Sequence, residues 1–275
     1  MTTTTATTRH TDARTMLNKV PEITLYFWLI KILCTTVGET AADYLNGTLG
    51  FGLTATSAIM AGLLAIALTA QFRARRYIPS VYWISVVLIS VVGTLITDNL
   101  TDNLGISLFV STGVFAVCLA ATFGIWYSRE RTLSIHTITS TPREAFYWLA
   151  VLLTFALGTA AGDLIAEKLA FGYGPSVLVF GALIAIIAIA WKKFGLNAVT
   201  AFWTAYILTR PLGASIGDFA SQPASSGGLG IGATGTSLIF LTAILGLVGY
   251  LTISKVDRTE NRSISGAGLE SITDE

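Results

Sequence analysis

Four aspartates recur at one position of a pattern that this 275-residue chain repeats four times. Each copy begins with a Trp, has a Gly ten residues later and ends with an Asp five residues after the Gly. The copies contain Trp28, Gly38 and Asp43; Trp83, Gly93 and Asp98; Trp148, Gly158 and Asp163; and Trp203, Gly213 and Asp218. A second apolar run follows every copy, so the pattern predicts a two-helix unit that is repeated four times.

The predicted position of these aspartates, at the C-terminal end of a helix, is unfavourable for a carboxylate. The negative end of the helix dipole costs an exposed carboxylate about 0.3–1 kcal/mol there, so its fourfold occurrence indicates a compensating role. In the first copy Glu39 lies one turn before Asp43, where the second and third copies have Thr. Such oxygen ligands suit protons and hard cations such as Na⁺, Mg²⁺, Ca²⁺ and Mn²⁺. The candidate cation-binding residues are Glu39, Asp43, Asp98, Asp163, Asp218, Thr36, Thr94 and Thr159.

Two basic residues, Lys31 and Arg210, interrupt the first and seventh apolar segments. Ionisable groups inside a membrane are expensive and usually have a partner of opposite charge. We expect Arg210 or Lys31 to pair with Glu39, or with Asp43 and Asp218, either as part of a gate or as a structural ion pair. Lys31 lies only a turn past the first Trp. An alternative prediction is therefore that its side chain extends to the membrane surface and places the ammonium in water.

The elements that must position these residues are predicted to be membrane helices. The chain is 53% hydrophobic and 12% charged, a composition that a soluble domain of this size could not bury. A spanning helix needs about 20 residues, and eight segments reach that length. We predict an all-α, polytopic fold whose transmembrane helices cover about residues 22–44, 50–72, 80–100, 105–127, 143–166, 173–191, 196–220 and 231–253.

The Gly and the Trp of the pattern favour structural roles. A small residue follows each Gly by four positions, and small-xxx-small faces allow helices to approach closely. These faces predict that the odd-numbered helices lie together in the centre, with the even-numbered helices outside. The predicted packing glycines are Gly38, Gly93, Gly158, Gly162, Gly213 and Gly217. The aromatic openings predict anchors at the membrane interface, with Trp28, Trp83, Trp148 and Trp203 at their centres.

The repeats define the domain organisation. A membrane domain is predicted at 21–253, and polar tails at 1–20 and 254–275 are predicted to be disordered. Within that domain the repeats cover residues 21–72, 78–127, 142–193 and 196–253. The longest connector lies between the second and third repeats and ends at residues 141–144 in a capping box with Pro at the first helical position. Fourfold and two-plus-two arrangements of the repeats are both compatible with this pattern.

The cations predict the orientation in the membrane. Of the 17 Lys and Arg residues, all but Lys31, Lys168 and Arg210 lie in the tails or in loops on the Trp side. The positive-inside rule then places both termini and the four Trp on the cytoplasmic side. All four repeats enter the membrane from that side, so they are predicted to be parallel repeats.

Several other classes of protein are disfavoured. The basic residues are dispersed, so no nucleic-acid partner is expected. Cys34 and Cys118 lie in apolar runs without a metal or redox spacing, and we expect no cofactor. Residues 213–217 match a nucleophile-elbow pattern, but they lie in a continuous apolar segment without a nearby His, so we expect no enzymatic activity. The predicted partner is the lipid bilayer, and the oligomeric state is left open.

The repeats, together with KVPEITLYFW at residues 19–28, KIL at 31–33 and TTVGETAAD at 35–43, resemble a known family. It comprises bacterial inner-membrane proteins built from a repeat of unknown function, which are described as uncharacterised membrane-anchored proteins. The resemblance covers about residues 19–253. It implies a location in the bacterial cytoplasmic membrane, and it implies neither a substrate nor catalytic residues.

The residues therefore support two functional hypotheses. The first is a secondary transporter or channel-like protein for a small hard cation, in which the repeated carboxylates bind the ion. The alternative is a non-transporting scaffold or sensor, whose repeats serve helix packing and whose aspartates cap loops or join repeats through backbone N–H groups. The two differ in geometry, because the first requires the four aspartates to face one internal polar cavity.

Overall fold

The computed structural model describes residues 18–168 and 172–257, and within them the chain forms eight long α-helices and no β-strand. The helices are α1 (Leu25–Asp43), α2 (Gly52–Arg73), α3 (Pro79–Asp98), α4 (Leu108–Glu130), α5 (Thr141–Asp163), α6 (Tyr173–Phe194), α7 (Ala198–Ser221) and α8 (Gly232–Ser254). The predicted all-α fold is confirmed, and no helix end differs from its predicted position by more than three residues. Most of the two predicted tails, residues 1–17 and 258–275, lies outside the described residues.

Six of these helices are long and apolar enough to cross a membrane: α2, α3, α4, α5, α6 and α8. The protein is therefore a multi-pass membrane protein by the composition of its helices. The other two, α1 and α7, have similar lengths but contain the ionisable residues Lys31, Glu39 and Arg210. These three side chains are buried inside the protein and away from lipid, so α1 and α7 do not have to be apolar on every face.

The odd-numbered helices form a closed inner ring. Helix α1 packs against α3 and α7, and α5 packs against the same two helices. Each outer helix packs against the inner helix of the following repeat, with α2 on α3, α4 on α5, α6 on α7 and α8 on α1. The predicted central position of the odd-numbered helices is confirmed, and the contact of α8 with α1 closes the circle of repeats.

The pattern glycines lie where neighbouring inner helices meet. A Cβ added to any of them would overlap the residue three positions before the glycine of the next repeat, so only a glycine fits. The four pairs are Gly38 with Ser90, Gly93 with Phe155, Gly158 with Arg210 and Gly213 with Thr35. Gly162 and Gly217, one turn further along, face Pro211 and Thr36. Because this offset is the same at all four contacts, each inner helix meets the next one in an equivalent way around the ring.

The interpretation of the tryptophans as interfacial anchors is wrong for three of the four. Trp83, Trp148 and Trp203 are at most 4% exposed, whereas an anchor must present its ring to the lipid headgroups. Trp28 is partly exposed. The aromatic openings of neighbouring repeats pack on one another instead, as in the 5.7 Å separation between the ring centroids of Phe27 and Trp83. The aromatic residues therefore close one end of the inner ring, which we call the Trp end.

The opposite end of the ring, which we call the Asp end, has a distinctive backbone. After the aspartate, three inner helices continue directly into five-residue π-helical segments at Tyr44–Thr48, Asn99–Asn103 and Leu164–Lys168. Such segments are rare and occur frequently at functional sites. The chain then turns into each outer helix through a glycine with φ between 66° and 76°, a conformation that other residues adopt at a cost. These glycines are Gly50, Gly105, Gly172 and Gly230.

The segment before α1 packs against the Trp end. Lys19 and Val20 are at most 3% exposed, although they end the predicted disordered tail. The ammonium of Lys19 lies 2.6 Å from the carboxylate of Glu144 at the start of α5, and the amide of Gln71 donates to the same carboxylate. The side chain of Glu144 is thus held by Lys19 and Gln71. The predicted capping box at residues 141–144 is wrong, because the N-cap of α5 is Ser140, without a side-chain bond.

Candidate functional site

The residues that meet across the inner ring are spaced four apart along each inner helix. In α1 they are Asp43, Glu39, Thr35 and Lys31, read from the Asp end toward the Trp end. A spacing of four keeps side chains on one helix face. Because the helices are in register, the same positions of the four repeats form successive layers along the axis of the ring.

The first layer is formed by the aspartates, which line one cavity of about 590 Å³ at the Asp end. Its wall contains six carboxylates, from Glu39, Asp43, Asp98, Asp102, Asp163 and Asp218. Among the described residues of this wall none is Lys or Arg. The four pattern aspartates are partly exposed, whereas Glu39 is 7% exposed and lies deeper. The aspartates thus face a shared polar cavity, which is the geometry that the transporter hypothesis requires.

The second layer is formed by the residues at the position of Glu39, and Arg210 holds it together. Nη2 of Arg210 lies within hydrogen-bond distance of three oxygens, at 2.9 Å from Oε2 of Glu39, at 2.6 Å from Oγ1 of Thr159 and next to Oγ1 of Thr94, which share its two N–H groups. Its Nη1 donates to the backbone oxygen of Thr35 at 3.1 Å. Arg210 is fully buried and contacts all three other inner helices, so its guanidinium lies on the axis below the cavity. Of the pairings that the sequence allows, the structure contains the one between Arg210 and Glu39.

Lys31 lies one turn nearer the Trp end and is also fully buried, so it does not extend to the membrane surface. Its Nζ donates to Oγ1 of Thr209 at 3.3 Å and lies 4.2 Å from the ring centroids of both Phe155 and Tyr206. Phe155 belongs to α5, which lies diagonally opposite α1 in the ring. The ammonium therefore also lies on the axis.

The candidate threonines have other roles in the structure. Thr94 and Thr159 accept hydrogen bonds from Arg210 and do not line the cavity. The hydroxyl of Thr36 donates to the backbone oxygen of Gly213 at 3.0 Å and joins α1 to α7. The carboxylates also remain apart, since no group of three or more His, Cys, Asp or Glu residues within the described ranges could hold one metal ion. The structure therefore brings the predicted carboxylates to one cavity without forming a compact metal site.

Sequence reasoning missed several residues of this site. Asp102, Tyr173 and Phe109 line the cavity although they lie outside the repeated pattern. Asp102 belongs to the π-helical segment after α3, and a sequence offers no reliable signal for that geometry. Thr35, whose backbone oxygen accepts from Arg210, could have been found, because it lies four residues before Glu39 in the same stripe.

Comparison with known families identifies the repeat. The family model described as Repeat of Unknown Function (DUF347) matches the chain four times, at residues 26–77, 81–132, 146–195 and 201–257. These segments cover well over half of the chain. The chain belongs to the DUF347 family. No curated protein and no solved structure gives a match.

The matched segments show how the DUF347 repeats build the site. Each segment contains one inner helix, one outer helix and one pattern aspartate. Because the aspartates of all four segments line the same cavity, no single repeat contains the site. The family description names no activity, so the argument for a function has to come from the cavity and the residues below it.

Proposed function

We propose that this protein binds a small hard cation in the acidic cavity and moves it across the membrane, as a secondary transporter or a channel-like protein. The observation that carries the proposal is the convergence of Glu39 and the four pattern aspartates on one cavity of the inner ring. Carboxylates at membrane depth are expensive and mark ion pathways when they face an internal cavity. The proposed activity requires neither an enzyme active site nor a cofactor.

The dispersion of the carboxylates favours a proton or a cation that keeps part of its water shell. A dehydrated metal ion would require several ligands at about 2.0–2.6 Å, and the described residues contain no group of three acidic, His or Cys side chains suited to that. The cavity, at about 590 Å³, is also much larger than the roughly 30 Å³ that one water molecule occupies in the liquid. We therefore place Na⁺, protons and hydrated divalent cations among the candidate ions.

The distribution of Lys and Arg supports an orientation for this proposal. With the basic loops and the Trp end on the cytoplasmic side, the cavity opens toward the outer face of a bacterial inner membrane. In that orientation the ion enters at the aspartates and next meets the Arg210 and Glu39 pair. The guanidinium is a fixed positive charge on the axis, so a cation passes only when this pair rearranges.

The scaffold or sensor alternative has weaker support. The pattern glycines do serve packing, as that alternative requires, because each lies against the next inner helix. The four pattern aspartates line the cavity wall. Close glycine packing alone therefore does not account for the fourfold repetition of the carboxylates.

The test is cation flux in proteoliposomes that contain the purified protein. Uptake and efflux of H⁺, Na⁺, Mg²⁺, Ca²⁺ and Mn²⁺ are compared for wild type, Asp43→Asn and Asp163→Asn. Each variant keeps the size of the side chain and removes one carboxylate charge from the cavity, so we expect the flux of at least one cation to fall in both.

The matched control is Glu130→Gln, which removes a carboxylate from a partly exposed ion pair with Arg143, far from the cavity wall. This variant should transport like wild type. Equal flux in wild type and both aspartate variants would remove the carboxylates from any transport mechanism. Absence of flux for every cation in wild type would favour the scaffold or sensor alternative.

A further inference from the structure

Lys31 is a buried ammonium whose surroundings differ from those of a structural ion pair. The contacts of its Nζ are one hydroxyl, from Thr209, and two aromatic faces, from Phe155 and Tyr206. Within the described residues no carboxylate oxygen lies within 4.0 Å of it. A buried charge is normally paired with an opposite charge, so this arrangement requires an explanation.

Arg210 explains why Lys31 has no carboxylate. Glu39 is the carboxylate that reaches the axis from α1, and Arg210 binds it. Both cations face the ring of Phe155, with the Nζ of Lys31 at 4.2 Å and the Cζ of Arg210 at 5.6 Å from its centroid. Their charges therefore lie within about 10 Å of each other, a distance at which buried charges interact strongly. Since a guanidinium cannot lose its proton in a protein, only Lys31 can relieve the repulsion by becoming neutral.

The site of Lys31 accommodates both protonation states. The two ring faces and the Thr209 oxygen stabilise an ammonium through cation–π contacts and a hydrogen bond. When the proton leaves, the neutral amine remains beside apolar rings, and no carboxylate is left buried without a partner. A lysine in a tight ion pair does not accommodate both protonation states, because its deprotonation would leave a buried carboxylate without a positive partner.

We propose that Lys31 is the proton-binding residue that couples proton movement to cation movement in the opposite direction. This inference rests on the proposed transport of a cation through the acidic cavity. A cation that enters the cavity neutralises part of the charge of Glu39, so Arg210 repels Lys31 more strongly. One N–H bond of the ammonium then breaks and the proton passes to water; the bond re-forms with a proton from water when the cation has left. By linkage the protonated lysine weakens cation binding to the same extent.

Few other groups act on this position. The charged or titratable side chains that face Lys31 are Arg210 and Tyr206, from α7, and Cys34, from α1 itself. The described residues of α3, α5 and α8 place no charged side chain in an ion pair with it. The charge of Lys31 is therefore set mainly by Arg210 and, through Arg210, by Glu39.

The experiment measures cation and proton movement together in proteoliposomes loaded with a pH-sensitive dye. An imposed gradient of the cation that wild type transports should drive protons in the opposite direction. In Lys31→Met, which replaces the ammonium by an apolar side chain of similar length, the cation should still bind to the cavity and the proton movement should fall to that of protein-free vesicles. Lys192→Met, at an exposed position at the end of α6, is the matched control and should behave like wild type.

The outcomes separate this inference from the proposed function. Wild-type protein that moves the cation without protons overturns the role of Lys31 and leaves cation transport intact, and this measurement does not depend on the folding of any variant. Proton movement that persists in Lys31→Met also overturns it. Wild type that moves no cation at all overturns the proposed function and, with it, the coupling.

Discussion

Arg210 neutralises the negative charge of Glu39 inside the inner ring, because its guanidinium is a fixed positive charge in contact with that carboxylate. Both side chains are at least nine-tenths buried, and the guanidinium also holds Thr94 and Thr159 of the two remaining inner helices. A buried ion pair of this kind is weak evidence for stability, because desolvation offsets the attraction. Removal of only one partner is nevertheless severe, since it leaves the other charge buried and uncompensated.

We therefore expect Glu39→Gln to be less stable than wild type by about 3–5 kcal/mol, which is the usual effect of breaking a buried pair. The amide keeps an oxygen that accepts from Arg210 but lacks the negative charge. The measurement is the thermal unfolding midpoint in detergent, read from the tryptophan fluorescence. Asp102→Asn, which removes an exposed carboxylate from the cavity wall, is the control and should unfold at the wild-type temperature.

The double variant Glu39→Gln with Arg210→Met makes this prediction specific. Because both charges are then absent, most of the lost stability should return, as replacement of a buried pair by neutral residues is often neutral or stabilising. A double variant that unfolds below the single variant would show that Arg210 stabilises the ring by packing rather than by its charge.

At the level of elements, the repeated glycines determine how closely the inner helices approach. Gly213 lies against Thr35 and the backbone oxygen of Ile32, and Gly38 lies against Ser90. Helix backbones in contact leave no space for a side chain at the glycine. A close-packed interior can accept an extra methyl group only through shifts of the neighbouring atoms, which cost stability. Several glycines of the outer helices, in contrast, have open space around the position of a Cβ, as at Gly62 and Gly113.

This contrast gives a matched pair of substitutions with opposite outcomes. Gly213→Ala should destabilise the protein by about 1–3 kcal/mol, the usual cost of overpacking, whereas Gly113→Ala should preserve or slightly raise the stability because alanine favours a helix. Thermal unfolding in detergent, combined with size-exclusion chromatography, measures both. If the two variants unfolded at the same temperature, close glycine packing would not be what holds α7 against α1.

Much of this element arrangement could be predicted, and the reasons are physical. Periodic glycines have few uses inside apolar helices besides close packing, so Gly38 and its three counterparts pointed to a central ring. The aromatic openings were misleading, because a sequence looks the same whether a Trp faces lipid or packs against the next repeat, and Trp83 and Trp148 are buried. The partner of Glu39 was ambiguous for a similar reason: Lys31 and Arg210 both lay within reach, and only the register of α7 against α1 decides between them.

At the level of the whole molecule, the path of the chain links every repeat to the next. An outer helix packs against the inner helix that follows it in sequence, so each repeat completes its neighbour rather than itself. The fourth outer helix, α8, packs on α1, the inner helix of the first repeat. That contact joins the first and last repeats and determines whether a single chain can close the ring that surrounds the acidic cavity.

A disulfide across this contact tests closure within one chain. Oγ of Ser237 on α8 donates to Oγ1 of Thr40 on α1 at 2.7 Å, so cysteines at these two positions are close enough for a bridge. In a background with Cys34→Ala and Cys118→Ser, we expect Thr40→Cys with Ser237→Cys to oxidise to a monomer that migrates faster on a denaturing gel and reverts on reduction. Either single cysteine variant is the control and should show no shift. A covalent dimer as the main product would mean that α8 packs on α1 of a second chain, in which case two chains would have to exchange this helix to close their rings.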